Sequence, residues 1–334
     1  MEGVFRNGAG PKRFDYDVLA AATGNFSGDR KLGEGGFGSV YRGFIDKLNL
    51  DVAIKRVSRS STQGWKEYAS EVKIISGLRH RNLVKLIGWY HNHDELLLVF
   101  ELMLNGSFDK HLYIAQNILS WQRRYQIILG IGSALLYLHE ECEQDVLHRD
   151  IKPSNVMLDA SFNAKLGDFG LARLVSHSRA THTTELAGTM GYLDPACIST
   201  GKFSTESDIY SFGVVLLEVD CGRQPVVVLL DNTIHLIRRV LELYRRQVIL
   251  DAVDPRLSGD FNGLEMERVL LVGLWCTQHD QSLRPSMRQA ISALRFEAPL
   301  PTVINSTPVG HLGSTPSLLV DDSTVTNSIY RSST

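Results

Sequence analysis

The hydrophobic period of this 334-residue chain changes once, at Asn105-Gly106-Ser107. Before that point apolar and polar residues alternate. KLGEGGFGSVYRGF, LDVAIKRVS, LVKLIGWYHN and ELLLVFELM each predict a strand, with LNL turning between the first two. One segment breaks the alternation: GWKEYASEVKIISGL sets Tyr68, Val72 and Ile75 on a single helical face. After Ser107 helical spacing takes over. SWQRRYQIILGIGSALLYLHEE starts behind a candidate N-cap, Ser120, and IHLIRRVLELYRR, EMERVLLVGLWCTQ and MRQAISALRF follow later. TESDIYSFGVVLLEVDCG is apolar nearly all round and ends at Gly222, which predicts a buried helix. The expected class is α+β with two lobes: a small β-rich lobe with one main helix, then a larger, mainly helical one. They join near Glu101 to Gly106, and ligand sites favour such boundaries.

The flanks read differently. Residues 1 to about 13 are Gly-rich and basic, and are expected to be disordered; FDYDVLAAATGNF then has helical spacing up to Gly24-Asn25. From Ala298 the chain is rich in Ser, Thr, Pro and Gly, and is not expected to pack. The expected division is 1–27, 28–104, 105–297 and 298–334. A net charge of −2 gives no general attraction to nucleic acid or anionic lipid, so any phosphate must be recognised locally. Cys142, Cys197, Cys221 and Cys276 have no metal-ligand spacing and read as reduced thiols, with a bridge left open. Asn25-Phe26-Ser27 and Asn305-Ser306-Thr307 are taken as chance matches to the glycosylation pattern. MEGVFRNGAGPKRF lacks the apolar run of a secretory signal. YSFGVVLLEV and QPVVVLL fall far short of the roughly 20 residues a bilayer needs, so the chain as given is expected to be soluble.

Four short motifs carry chemistry. Gly33-Glu34-Gly35-Gly36-Phe37-Gly38-Ser39-Val40 has glycines where backbone amides must approach phosphate. A dinucleotide fold uses the same spacing but needs a helix next, whereas SVYRGF continues as a strand. In Val52-Ala53-Ile54-Lys55 a lysine lies within an alternating strand. Turned inward it needs an anion, and Glu71 is a candidate partner; a solvated surface lysine is the alternative. VLHRDIKPSN crowds His148, Arg149, Asp150, Lys152 and Asn155 into a loop that Pro153 keeps from being helical. Asp168-Phe169-Gly170 follows the short strand Ala164-Lys165-Leu166-Gly167, placing a potential Mg²⁺ ligand at a strand end; an ordinary Asx turn is the alternative.

Taken together, in this order and spacing, the motifs resemble the eukaryotic protein kinase set over about 270 residues. RFDYDVLAAATGNF, GDFGLARL, THTTELAGTMGYLDP and DIYSFGVVLLE are similar to plant receptor-like kinases, above all the L-type lectin-domain receptor kinases. The resemblance implies a two-lobed kinase fold, and either a kinase-domain fragment or a cytoplasmic relative. It implies ATP with Mg²⁺, or Mn²⁺ in its place, protein substrates bearing Ser or Thr, and no metal beyond the nucleotide-bound one. A receptor or membrane-associated partner, at the inner face of the plasma membrane, also follows from it. By resemblance, Asp150 orients the substrate hydroxyl, Lys152 neutralises the γ-phosphate, and Asn155 and Asp168 hold the metal. Lys55, held by Glu71, reaches the phosphates under residues Gly33 to Ser39; Leu32, Val40, Ala53 and Met157 enclose adenine, and Glu101 and Met103 bond its edge. Phe100 guards the back of that pocket, while Lys152 and Thr189 favour Ser/Thr over Tyr. Arg149 implies control by phosphorylation after Asp168-Phe169-Gly170, at Thr183 or Thr184, with Thr181 as a further candidate.

One position departs from the pattern. Asp194-Pro195-Ala196 stands where the family has a glutamate third, and that glutamate pairs with an arginine matched here by Arg284. Losing one member of a buried pair costs on the order of 3–5 kcal/mol. Asp194 is expected to be a poor substitute, which leaves a weakly active or inactive scaffold as a second reading. Asp208, in turn, is expected to anchor the His148–Arg149 backbone.

Overall fold

The computed structural model describes residues 10–35, 38–57, 62–114, 118–175, 182–183, 187–229 and 232–300. The tail expected not to pack falls almost wholly outside them. The alternating segments form one six-stranded sheet in the order β1-β5-β6-β4-β3-β2. Its strands are β1 (Lys12–Arg13), β2 (Lys31–Gly35), β3 (Gly38–Ile45), β4 (Leu50–Val57), β5 (Leu86–His91) and β6 (Leu96–Glu101). The β3–β4 turn is one helical turn at Asp46–Leu48, closed by Asn49 at φ 47°.

Register then assigns faces. Val40 lies opposite Lys55, Lys55 opposite Leu98, and Ala53 opposite Phe100, so Val40, Ala53, Lys55 and Phe100 share one face. Helix α2 (Thr62–Ile75) packs there, with Tyr68, Val72 and Ile75 buried as its spacing predicts. The opposite face carries Val52, Ile54, Leu97 and Val99, and α1 (Tyr16–Ala22) covers it with Leu19 and Ala22. Lys12 and Arg13, expected to be disordered, instead form β1 and pair in parallel with Gly88 and Trp89. A sheet edge offers unpaired backbone groups, and this segment uses them.

Beyond Ser107 come α3 (Phe108–Tyr113), α4 (Trp121–Leu136), β7 (Asp145–Leu147), β8 (Val156–Leu158), β9 (Ala164–Leu166) and β10 (Arg173–Val175). Next are β11 (His182–Thr183), α5 (Pro195–Thr200), β12 (Lys202–Phe203), α6 (Thr205–Cys221), the hairpin β13 (Val226–Leu229) and β14 (Asn232–His235), α7 (Leu236–Arg245), α8 (Gly263–Cys276) and α9 (Met287–Leu294). Ser120 occupies the cap position of α4, though its side chain makes no capping bond. Every residue of α6 from Ser207 to Cys221 is buried, and the helix stops at Gly222 with φ 60°. It therefore carries Asp208 and Glu218 into the middle of the helical lobe. The chain is α+β, a sheet lobe followed by a helical lobe, as its periodicity predicts. The four cysteines are free thiols. Among the described residues no helix is long and apolar enough to cross a membrane.

Candidate active site

The glycine-rich segment is a hairpin. Gly33 to Gly35 lie on β2, Gly38 to Val40 on β3, and Gly35 pairs with Gly38; Gly36 and Phe37 lie outside the described residues. Gly38 sits at φ +128°, where a Cβ would come 2.1 Å from the Arg56 carbonyl oxygen. Only glycine fits there. Glu34 takes a bond from Lys31 Nζ at 2.7 Å, and Ser39 Oγ donates to Glu34 at 3.4 Å. Leu32 is exposed. Val40 and Ala53 lie on the same sheet face as Lys55. Met157 lies on β8, Glu101 ends β6, and Met103 follows it, buried.

Lys55 is not a solvated lysine. Its Nζ donates to Glu71 Oε2 at 2.9 Å and to Asp168 Oδ1 at 2.8 Å, joining β4, α2 and the turn after β9. Burial works against its charge, but the carboxylates of Asp168 and Glu71 outweigh that and raise its pKa. Partial burial works against the ionised form of Asp168, yet Lys55 holds its carboxyl below the usual range. Burial pushes Glu71 up, against the pull of Lys55. Asp168 takes φ 61° and Arg149 φ 71°, unusual backbone for residues with a Cβ, and such strain gathers at functional sites.

Across the cleft the polar loop closes around Asp150. Thr189 Oγ1 donates to Asp150 Oδ1 at 2.6 Å, Lys152 Nζ lies 2.8 Å from Oδ2, and Asn155 Nδ2 donates to Oδ2 at 2.9 Å. Lys152 Nζ also donates to Thr189 Oγ1 at 2.6 Å. With Nδ2 of Asn155 spent on Asp150, its carbonyl oxygen is the atom left for a cation. Asp168 has one oxygen on Lys55 and its second remaining. Two hard oxygen donors on neighbouring segments fit a small divalent ion. The contact of Thr189 with Asp150 is new; the sequence pointed to Thr189 only as a mark of substrate type.

Asp208 holds the loop from below, as expected: its carboxylate accepts the His148 N–H at 2.7 Å and the Arg149 N–H at 2.8 Å. His139 Nε2 lies 3.0 Å from the same carboxylate, a contact no motif announced. The His148 ring bonds the Gly167 carbonyl oxygen at 3.0 Å and packs edge-on to Phe169, with ring centroids 4.9 Å apart. The Arg149 guanidinium lies 3.9 Å over the Phe203 ring and donates to the Leu171 carbonyl at 3.3 Å. Burial, with the charge of Arg173, pushes it down to about 10. Thr181 and Thr184 fall outside the described residues. The Thr183 backbone lies on β11, beside β12 and Phe203.

Arg284 corrects the sequence reading. It is not left without a carboxylate: Nη1 and Nη2 donate to Asp194 Oδ2 and Oδ1 at 2.6 and 3.0 Å, both side chains being buried. Asp194 is the N-cap of α5, and its Oδ1 also accepts the Ala196 N–H at 3.0 Å. That cap geometry aims the carboxylate at Arg284, so a side chain one bond shorter than glutamate, two residues earlier, closes a two-pronged pair. The scaffold reading rested on an unpaired Arg284 and loses its basis. A second buried acid had no motif: Glu218 Oε1 accepts from the Tyr113 and Tyr192 hydroxyls. Burial pushes it up to about 8.

A family model described as a protein kinase domain matches residues 26–294. L-type lectin-domain containing receptor kinase IX.1 of Arabidopsis thaliana is 53% identical over 306 residues, 90% of this chain and 47% of that protein. Its relative IX.2, from the same plant, is 52% identical over 311 residues, covering 90% and 46%. L-type lectin-domain containing receptor kinase SIT2 of Oryza sativa subsp. japonica is 51% identical over 294 residues, covering 87% and 44%. The chain spans under half the length of these curated relatives.

Proposed function

The chain belongs to the protein kinase family, and from that premise we propose that it transfers the γ-phosphate of ATP to Ser and Thr hydroxyls of proteins. The observation that carries this reading is the pair of facing clusters: Lys55 on Glu71 and Asp168, and Asp150 with Lys152, Asn155 and Thr189. Residues 28–104 serve as the nucleotide-covering lobe and 105–297 as the substrate lobe.

The residues act mainly by position and charge. Leu32, Val40, Ala53 and Met157 enclose adenine, and the backbone of Glu101 and Met103 bonds its edge. The hairpin from Gly33 to Ser39 covers the phosphates. Lys55, oriented by Glu71, donates to phosphate oxygens. Asn155 and Asp168 hold Mg²⁺, which offsets phosphate charge when bound. A carboxylate offers about four acceptor positions, and three on Asp150 are used by Thr189, Lys152 and Asn155. The remaining one, on Oδ1, receives the O–H of the incoming alcohol. As that oxygen bonds to phosphorus, the bond to the bridging oxygen breaks, ADP leaves, and the proton passes to Asp150. Lys152 meets the charge that gathers on the transferred group.

The test is transfer of labelled phosphate from Mg²⁺-ATP to a general protein substrate, with Asp150→Asn as control. Phosphoserine and phosphothreonine that disappear in the variant are expected. Nucleotide binding with no transfer by the unaltered chain refutes the proposal. Phosphorylation at Thr183, Thr184 or Thr181 raises activity by bringing an anion toward Arg149; a triple alanine variant with undiminished activity refutes that regulation. The word receptor in the relatives' names supports a receptor partner; a place beside it at the inner face of the plasma membrane is part of this proposal, and co-fractionation of the chain with plasma membrane tests it.

A further inference from the structure

Helix α2 faces the segment after Asp168 with residues spaced i, i+3 and i+4, which share one side of a helix. Glu71 shares Lys55 with Asp168. Glu67 packs on Gly170, where an added Cβ would come 3.3 Å from its own Cβ. Between them stands Ser70. Its Oγ donates to the Ala172 carbonyl oxygen at 2.8 Å and accepts from Arg173 Nη1 at 3.0 Å. The same Nη1 donates to the Ala172 oxygen at 2.7 Å, so hydroxyl, carbonyl and guanidinium form a closed ring.

Arg173 opens β10, and it pairs with Leu147 of β7, the residue that precedes His148. One side of the ring is therefore the helix that holds Glu71 on Lys55. The other is a two-stranded ladder that runs straight into the loop carrying Asp150.

We propose that Ser70 is a positioning residue: its hydroxyl latches helix α2 to the β7–β10 ladder and so sets the Lys55–Glu71 pair in register with the Asp150 loop. The inference rests on the kinase reading for its effect on turnover, but not for its effect on structure. Ser70 touches neither nucleotide-facing nor substrate-facing residues of the proposed site, so its removal acts on how often the two clusters are aligned.

The experiment compares Ser70→Ala, Ser70→Thr and Arg173→Gln in the 334-residue chain. Alanine is the better helix former, so a loss in Ser70→Ala does not come from helix propensity. Removing one hydrogen bond is expected to lower kcat roughly two- to tenfold, with the KM for protein substrate unchanged. Amide exchange across 68–75 and 169–175 should rise by a similar factor, and Ser70→Thr should restore both within about twofold. Adding Ser70→Ala to Arg173→Gln should cost little more than Arg173→Gln alone, because the two share one ring. Wild-type exchange and kcat in Ser70→Ala overturn the latch, as does a Ser70→Thr variant no better than Ser70→Ala. If the unaltered chain transfers no phosphate while exchange still rises in Ser70→Ala, the kinase proposal fails and the latch stands.

Discussion

Replacing Asp194 with asparagine tests the buried pair that the sequence pattern had written off. The amide keeps the size of the side chain and an oxygen for the Ala196 N–H, but it leaves Arg284 with no carboxylate. Both partners are essentially fully buried, at 0% and 1% side-chain exposure, so water screens little of the loss. Removing one member of such a pair costs about 3–5 kcal/mol. Arg284 retains the carbonyls of Gln278 and Glu206, each at 2.8 Å, which argues for the lower end. At about 3 kcal/mol, the melting temperature should fall by roughly 6–12 °C for a domain of this size. Thermal unfolding followed by circular dichroism at neutral pH measures it. The pH dependence is a second check. Burial opposes the ionised Asp194, but Arg284 and Gln281 together depress its pKa. A depressed carboxyl stabilises the fold above its unfolded pKa and stops doing so as pH falls through its folded value. The gap between wild type and Asp194→Asn should therefore close under acid. A melting temperature within about 2 °C of wild type at neutral pH would falsify the claim that this pair supports the helical lobe.

Ala196→Glu in the otherwise unaltered chain should change stability by under about 1 kcal/mol, because Asp194 already uses both Arg284 prongs; a gain of several degrees in melting temperature would show the pair to be deficient. Glu218, pushed up to about 8 by burial, is neutral in the fold while its unfolded counterpart ionises. Stability should thus decline as pH rises toward 8 by up to about 1.4 kcal/mol per unit, and denaturant titrations at pH 6 and 8 should find that slope flattened in Glu218→Gln. Gly88→Ala would put a Cβ 2.3 Å from both the Lys12 carbonyl oxygen and the Phe14 ring, so it should dislodge β1 and cost about 1–3 kcal/mol. Limited proteolysis near Arg13 reads this out: protection equal to wild type would mean that β1 contributes nothing.

The proposed site was legible because its motifs are local. Gly33 to Val40 announce a phosphate-sized hairpin through their spacing and the strand that follows it, and alternation from Val52 to Lys55 marks a strand lysine whose direction it leaves open. The nearly all-apolar run around Phe212 announced a buried helix for the same reason. What stayed hidden were partners far apart in the chain. Thr189 reaches Asp150, His139 reaches Asp208, and Ser70 reaches Ala172, each across a separation that leaves no periodic trace. The composition of residues 1 to 13 suggested disorder, yet the open edge of β5 recruits Lys12 and Arg13 as a strand.

The two periodicities, the order of the lobes and the residue types at each motif were set locally, because they depend on neighbours within a few residues. Which carboxylate meets Arg284 and which face of the sheet α1 covers were settled by contacts between distant segments. A side chain's chemistry can be read from its letter. The direction in which a cap or a strand register points it is set by packing between segments, and at Asp194 that direction outweighed the missing glutamate.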